Sequence, residues 1–127
     1  MRVVRVLALL AVVLGRAAAA AEPLPEAVQA EVEHLATCAA YFFNATNAAP
    51  MREYEALYGA GEYARNRALR YLDVAEFDRL MGDAAVAMTA LTGGDWRQFD
   101  RVRARYEPVC AALALDADDA ALTGEVD

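Results

Sequence analysis

Two apolar stretches decide the fold: His34-Leu35-Ala36-Thr37-Cys38-Ala39-Ala40-Tyr41-Phe42-Phe43 and Arg105-Tyr106-Glu107-Pro108-Val109-Cys110-Ala111-Ala112-Leu113. Each contains one of the two cysteines of the chain, in sequence typical of a helix. A disulfide requires the two Cα atoms to lie within about 7 Å of each other. A Cys38–Cys110 disulfide therefore predicts that these two helices pack side by side.

The first residues have the pattern of a secretory signal peptide. The start, Met1-Arg2-Val3-Val4-Arg5, is basic, the run from Val6 to Leu14 is apolar, and small residues end at Ala19-x-Ala21. The apolar run is shorter than the ~20 residues that span a bilayer, which makes an uncleaved anchor the weaker alternative. We expect cleavage of residues 1–21 and a periplasmic location for the mature protein.

The length of the mature chain predicts one small domain. Cleavage would leave about 106 residues, too few for two domains. We expect a helical bundle over residues 22–115 and an acidic, frayed tail over residues 116–127. In an oxidising compartment the two cysteines are expected to be joined. Closing that loop would stabilise the fold by about 4 kcal/mol.

Charge and residue inventory exclude several functions. Removing residues 1–21 removes three arginines and no acidic residue, which changes the formal net charge from −7 to −10. Such acidity argues against binding to nucleic acid or anionic lipid. The chain contains no lysine, no serine and a single histidine, which excludes a serine nucleophile, a Schiff-base lysine and a His-rich zinc site. We therefore expect no enzymatic activity.

Helical periodicity recurs along the whole mature chain, and no stretch shows the alternation of a strand. A first helix is predicted from Pro25 to about residue 47, followed by a short segment, Met51 to Tyr58, that Gly59-Ala60-Gly61 ends as a hinge. Residues 62–91 form either one helix or two helices that meet near Asp73. The Asp73 to Glu76 spacing resembles a capping box and favours two.

The last helix is predicted to follow the turn Thr92-Gly93-Gly94, with Asp95 as its N-cap and Gln98 as the reciprocal capping partner. Pro108 is expected to kink or break this helix between residues 104 and 107. The prediction is an all-α bundle of about four helices, clasped by one disulfide.

Two groups of side chains are candidates for partner binding. Tyrosines near the glycines suit a recognition surface, although closing one end of the bundle is their more ordinary role. Arginines at a spacing of four residues would repel one another along one helix face unless solvent, neighbouring acids or an acidic partner offsets them. The candidates are Tyr54, Tyr58, Tyr63, Arg97, Arg101 and Arg105.

His34 and Cys38, four residues apart, could share a metal ion or activate a thiolate. A disulfide at Cys38 removes both possibilities. A haem held by His34 and by Met81 or Met88 is a further alternative, but the chain lacks a Cys-x-x-Cys-His attachment motif. We expect a histidine at a helix surface, with no metal and no cofactor.

The stretch Thr37-Cys38-Ala39-Ala40-Tyr41-Phe42 resembles the cysteine-bearing helix of small periplasmic acid-stress chaperones. Those proteins are also all-α with one disulfide, but they are rich in lysine and their cysteines are closer together. The resemblance covers residues 37–42 alone. Three functions remain open: an exported module that binds another periplasmic protein, which we favour, an acid-stress chaperone, and a bundle that binds a small molecule or haem.

Overall fold

The computed structural model describes residues 23–124 of the chain. This part of the chain contains four α-helices. They are α1 (Glu26–Ala48), α2 (Tyr54–Ala68), α3 (Val74–Thr92) and α4 (Phe99–Thr123). Short 3-10 turns at Met51–Glu53 and Trp96–Gln98 lead into α2 and α4. The prediction of an all-α bundle of four helices is confirmed. The predicted signal peptide lies outside the described residues.

Helix α1 is the centre of the bundle, because it packs against each of the other three helices. Both α2 and α3 also contact α4, so they flank the α1–α4 pair. Within that pair, Cys38 bonds to Cys110 while Tyr41 stacks with Tyr106, with ring centroids 6.4 Å apart. Residue numbers thus rise along α1 as they fall along α4, and the two helices are antiparallel.

The Cys38–Cys110 disulfide is present, as predicted, with a Cα–Cα distance of 5.5 Å. Both cysteines are fully buried in the centre of the core. The residues around them are largely small, which lets the helices approach closely, and a few large side chains fill the remaining space. Fully buried large side chains are Val32, Leu35, Phe77, Met88 and Val102.

The prediction of a hinge at Gly59-Ala60-Gly61 is wrong, because α2 runs through both glycines without interruption. Each glycine inside a helix costs about 1 kcal/mol relative to alanine. Ala60 and Gly61 are nevertheless buried, and Gly61 lies against the ring of Phe43 on α1. Packing against α1 therefore outweighs the local tendency of the glycines to end the helix.

Residues 62–91 form two helices, as the capping pattern favoured. Asp73 is the N-cap of α3, and its Oδ1 accepts a hydrogen bond of 2.8 Å from the Glu76 backbone N–H. Gly93 ends α3 in the left-handed conformation, with φ of 62°. This is the position at which glycine avoids the Cβ clash of other residues.

The end of the chain differs from the prediction at Asp95 and in the acidic segment, and of the kink or break expected at Pro108 the structure excludes the break. Asp95 caps the 3-10 turn before α4, accepting from the Arg97 N–H at 3.0 Å, rather than capping α4 itself with Gln98. Helix α4 contains Pro108 in its interior and does not break there. The acidic segment that begins at Asp116 is helical as far as Thr123. Contacts of α4 with α2 on one side and α3 on the other hold it together despite the proline.

Candidate functional site

Tyr54 and Tyr58 form an aromatic pair on the surface of α2. Their rings are stacked, with centroids 5.9 Å apart and planes at 10°. Tyr58 also contacts Phe43 of α1, with centroids 5.6 Å apart. The side chains remain 42% and 45% exposed, and Met51, in the turn before α2, is 85% exposed. We call Met51, Tyr54 and Tyr58 the aromatic face.

The charge next to the aromatic face is acidic. Glu62 raises the pKa of Tyr58 above 10.0 chiefly by its negative charge, and Arg65 partly opposes it. Glu55 is adjacent in sequence to Tyr54 and is exposed. The face therefore combines exposed rings with neighbouring carboxylates.

Tyr63, the third predicted tyrosine, does not join the aromatic face. It is half-buried, and the Arg67 guanidinium lies over its ring at 5.7 Å from the centroid. It lines a groove of about 240 Å³ between α2 and α4, whose other lining residues include Glu62 and Asp118. Sequence proximity placed the three tyrosines together, but a separation of five residues turns Tyr63 about 140° around the helix from Tyr58.

The three predicted arginines do not act as one ladder. Arg97 lies in the 3-10 turn before α4 and pairs with Asp95 at 3.1 Å. The guanidinium of Arg105 lies over Tyr106 of its own helix, 5.8 Å from the ring centroid. Arg101 is exposed and forms no ion pair with any residue from 23 to 124. The arginines and the aromatic face belong to separate elements and do not form a common site.

Sequence reasoning missed Arg103, which has more partners than any of the three predicted arginines. It pairs with Asp100 at 3.3 Å and with Glu107 at 3.9 Å, and it lies over the Phe99 ring. The spacings from Phe99 to Arg103 and from Arg103 to Glu107 are both four residues, which was the available signal. These contacts hold Arg103 on its own helix.

Arg103 and Glu107 also line a groove of about 180 Å³ that includes Tyr41 and Glu53. Tyr41 is buried and stacks on Phe99 with centroids 6.2 Å apart. Burial raises the pKa of Tyr41 above 10.0, the charge of Glu107 adds to this, and Arg103 opposes it. Tyr41 is thus a neutral hydroxyl at neutral pH that helps to join α1 to α4.

The alternatives that needed His34 have no geometric support in the described residues. His34 is exposed, and each of its ring nitrogens is 3.9 Å from the Sγ atom of Cys38, which is committed to the disulfide. Met88 is fully buried and its Sδ atom is 3.9 Å from the Asn44 amide nitrogen, while Met81 is half-buried. From residue 23 to residue 124, no three His, Cys, Asp or Glu side chains are grouped to hold a metal ion.

Within residues 23–124, no helix has both the length and the apolar character needed to cross a membrane. No protein-family model matches the chain, and no curated protein or solved structure is significantly similar to it. A function for this chain is therefore inferred from its own residues.

Proposed function

We propose that this chain is an exported, non-enzymatic interaction module that binds another periplasmic protein through the aromatic face of Met51, Tyr54 and Tyr58. The observation that carries the proposal is the stacked pair Tyr54–Tyr58, which Tyr58 joins to Phe43 while both rings stay nearly half exposed. Export rests on the pattern of residues 1–21, and the buried disulfide is consistent with an oxidising compartment.

Stacking prepares the aromatic face for binding. A tyrosine side chain has two rotatable torsions, and here both rings are held by neighbours on a helix. Little conformational entropy is then lost on association. Tyrosine is also among the residues that dominate binding energy at protein interfaces. Two preorganised rings, with an exposed methionine in the turn that precedes them, are therefore a suitable anchor for a partner.

The charge around the face indicates the chemistry of the partner. Glu55 and Glu62 flank the rings, and the protein as a whole is acidic. Complementary potentials at the rim accelerate encounter and select partners. We expect the partner to present an apolar pocket for the tyrosines, bordered by lysine or arginine. Binding should weaken as ionic strength rises.

Site-specific photo-crosslinking in the native periplasm tests this proposal. A photoreactive phenylalanine analogue replaces Tyr54 in one strain and Tyr71 in another, because Tyr71 is 45% exposed but has no aromatic neighbour among residues 23–124. The expected result is one abundant crosslinked product of defined mass from position 54, and none at that mass from position 71. The same product from both positions, or from neither, would contradict the assignment of the aromatic face.

Alanine variants provide the matched measurement in solution. Tyr54→Ala should reduce affinity for the partner identified by crosslinking at least about tenfold, as expected for an interface hot spot. Tyr71→Ala should leave affinity unchanged. The thermal midpoint should change little for Tyr54→Ala, because its ring is largely outside the core.

A second candidate function, acid-triggered chaperoning, is favoured by the ion pairs of Arg67. This residue of α2 pairs with Glu31 of α1 at 3.0 Å and with Asp116 of α4 at 4.0 Å. Loss of these pairs in acid would weaken contacts among three helices and expose their apolar faces. The test is binding of an apolar dye at pH 2 together with suppression of aggregation of an unfolded client. A native, dye-free bundle at pH 2 would exclude this function.

A further inference from the structure

The outward side of α4 carries an exposed apolar strip between opposite charges. The residues that share this side, all exposed, are Arg101, Arg105, Pro108, Leu115, Asp119 and Leu122, which we call the outer face. They recur at separations close to multiples of the helical repeat of 3.6 residues, which places them in one line along the helix. Leu115 is 66% and Leu122 is 86% exposed, so the strip has large apolar side chains that the described part of the chain leaves uncovered.

A surface hollow lies about two helical turns before Leu115 on α4. Its volume is about 520 Å³, and it is lined by Ala104, Pro108 and Ala111 together with the charged side chains of Asp100, Arg103 and Glu107. The small side chains leave room next to the helix backbone. The face thus presents both a hollow and, about two turns away, an apolar side chain of a size to enter such a hollow.

The charges of the outer face are segregated by sign. Arg101 and Arg105 lie toward the beginning of α4, whereas Asp119 lies toward its end. Among residues 23–124, neither Arg101 nor Asp119 forms an ion pair, although Asp119 lines a groove with Arg67 of α2 and with Arg70. From Arg101 to Asp119 the helix is about 27 Å long. Two copies of α4 that run antiparallel would therefore place opposite charges against each other.

We propose that a second copy of this chain docks on the outer face of α4, with the two α4 helices antiparallel about a two-fold axis near residues 110 and 111. In such an isologous interface, each patch meets the same patch of the other copy. Arg101 of each copy lies opposite Asp119 of the other, and Leu115 of each copy enters the hollow at Ala104 and Pro108. The antiparallel arrangement thus pairs opposite charges and also places a leucine in each hollow.

The size of the face predicts a weak dimer. Contact along about five helical turns buries less than the ~1,200 Å² that marks the lower end of stable, specific interfaces. Each copy also carries a net negative charge, which opposes association. We expect a dissociation constant on the order of tens of micromolar at moderate salt concentration.

Charge reversal at one self-facing pair tests the proposal by sedimentation equilibrium of the purified protein. Arg101→Glu places Glu opposite Asp119 and should weaken dimerisation about tenfold or more, as should Asp119→Arg, which places Arg opposite Arg101. The double variant Arg101→Glu/Asp119→Arg restores opposite charges at both ends and should dimerise within about threefold of the wild type. Failure of the double variant to recover would overturn the antiparallel arrangement.

Apolar contact is tested separately at Leu115. Leu115→Asp should abolish the dimer, whereas Val86→Asp should not, since Val86 is 71% exposed but lies on α3. Circular dichroism establishes that each variant is folded, and Leu115→Ala serves if the aspartate variant is not. A wild-type protein that stays monomeric to about 1 mM, well above the affinity expected of a weak interface, would refute the proposal.

This inference is independent of the proposed function, because the aromatic face is on α2. Tyr54→Ala should lose the heterologous partner and keep the dimer. Arg101→Glu should do the reverse.

Discussion

The ring of Phe43 on α1 lies against the bare backbone of Gly61 on α2. A Cβ atom at Gly61 would stand 2.6 Å from the Cε1 atom of Phe43, closer than carbon atoms in real structures approach. The same ring contacts Tyr58, with centroids 5.6 Å apart. Phe43 thus has two roles. It packs α1 against α2 at Gly61, and it contacts Tyr58 of the aromatic face.

Gly61→Ala should therefore destabilise the protein, although alanine is the better helix former. We expect a net loss of about 1–2 kcal/mol, because a rigid ring held by Tyr58 must move to admit the methyl group. Gly59→Ala is the matched control, since no atom lies within 4 Å of its Cβ position. It should stabilise the protein by up to about 1 kcal/mol through helix propensity. Urea denaturation of both variants measures the difference, and equal effects would contradict the close contact.

Removing the disulfide should cost much of the stability of the domain. Its two cysteines are 72 residues apart in the chain, and for a loop of this length chain entropy predicts a loss of about 4 kcal/mol in a Cys38→Ala/Cys110→Ala variant. The total for a small domain is about 5–15 kcal/mol. Fluorescence of Trp96, the single tryptophan, reports unfolding in urea. A reductant should lower the wild-type midpoint and leave the double variant unchanged.

The N-cap of α3 should be measurable through one side chain. Asp73→Ala removes the acceptor of the Glu76 N–H and should cost about 1 kcal/mol. Asp73→Asn retains a capping oxygen and should cost only a few tenths of that amount. The difference between the free energies of unfolding of the two variants, measured in urea, gives the contribution of the hydrogen bond from the Glu76 N–H to the side chain at position 73. Indistinguishable variants would show that Asp73 does not cap the helix in solution.

Asp95 should contribute to the pH dependence of stability. Hydrogen bonds from the Arg97 side chain and backbone lower the pKa of Asp95 below its ordinary value of 3.8. A lowered folded-state pKa stabilises the protein above 3.8, and this stabilisation is lost as pH falls through the folded-state pKa.

Arg97→Gln should accordingly show a smaller fall in thermal midpoint between pH 6 and pH 3 than the wild type does. The control is Arg52→Gln, because Arg52 is exposed, makes no ion pair among residues 23–124 and lies outside the outer face. It should reproduce the wild-type fall. An unchanged fall in Arg97→Gln would mean that the Arg97 side chain does not lower the pKa of Asp95.

Much of the fold was predictable because the sequence features that specify it are local, or, for the disulfide, because only one pairing of cysteines exists. The apolar spacing in α1, the Asp73 cap and the Thr92-Gly93-Gly94 turn each depend on neighbours within one or two helical turns. The disulfide was predictable because the chain contains two cysteines and both lie in apolar helical sequence.

The candidate site was less predictable. The sequence identified Tyr54 and Tyr58 as candidates, but the contact of Tyr58 with Phe43 joins residues of two helices. Tyr63 was wrongly grouped with them because closeness in the chain is not closeness around a helix. Arg103 was missed although its four-residue spacings to Phe99 and Glu107 are local. Its interaction with Tyr41 of α1 depends on the tertiary structure.

The sequence by itself thus determined the helical class and the covalent link between α1 and α4. Tertiary structure alone decided that α2 continues through Gly59 and Gly61, and that α4 continues through Pro108 and into the acidic segment. At these positions local propensity favours ending the helix by about 1–3 kcal/mol. Burial against neighbouring helices exceeds that preference, and its strength depends on residues that are distant in the chain.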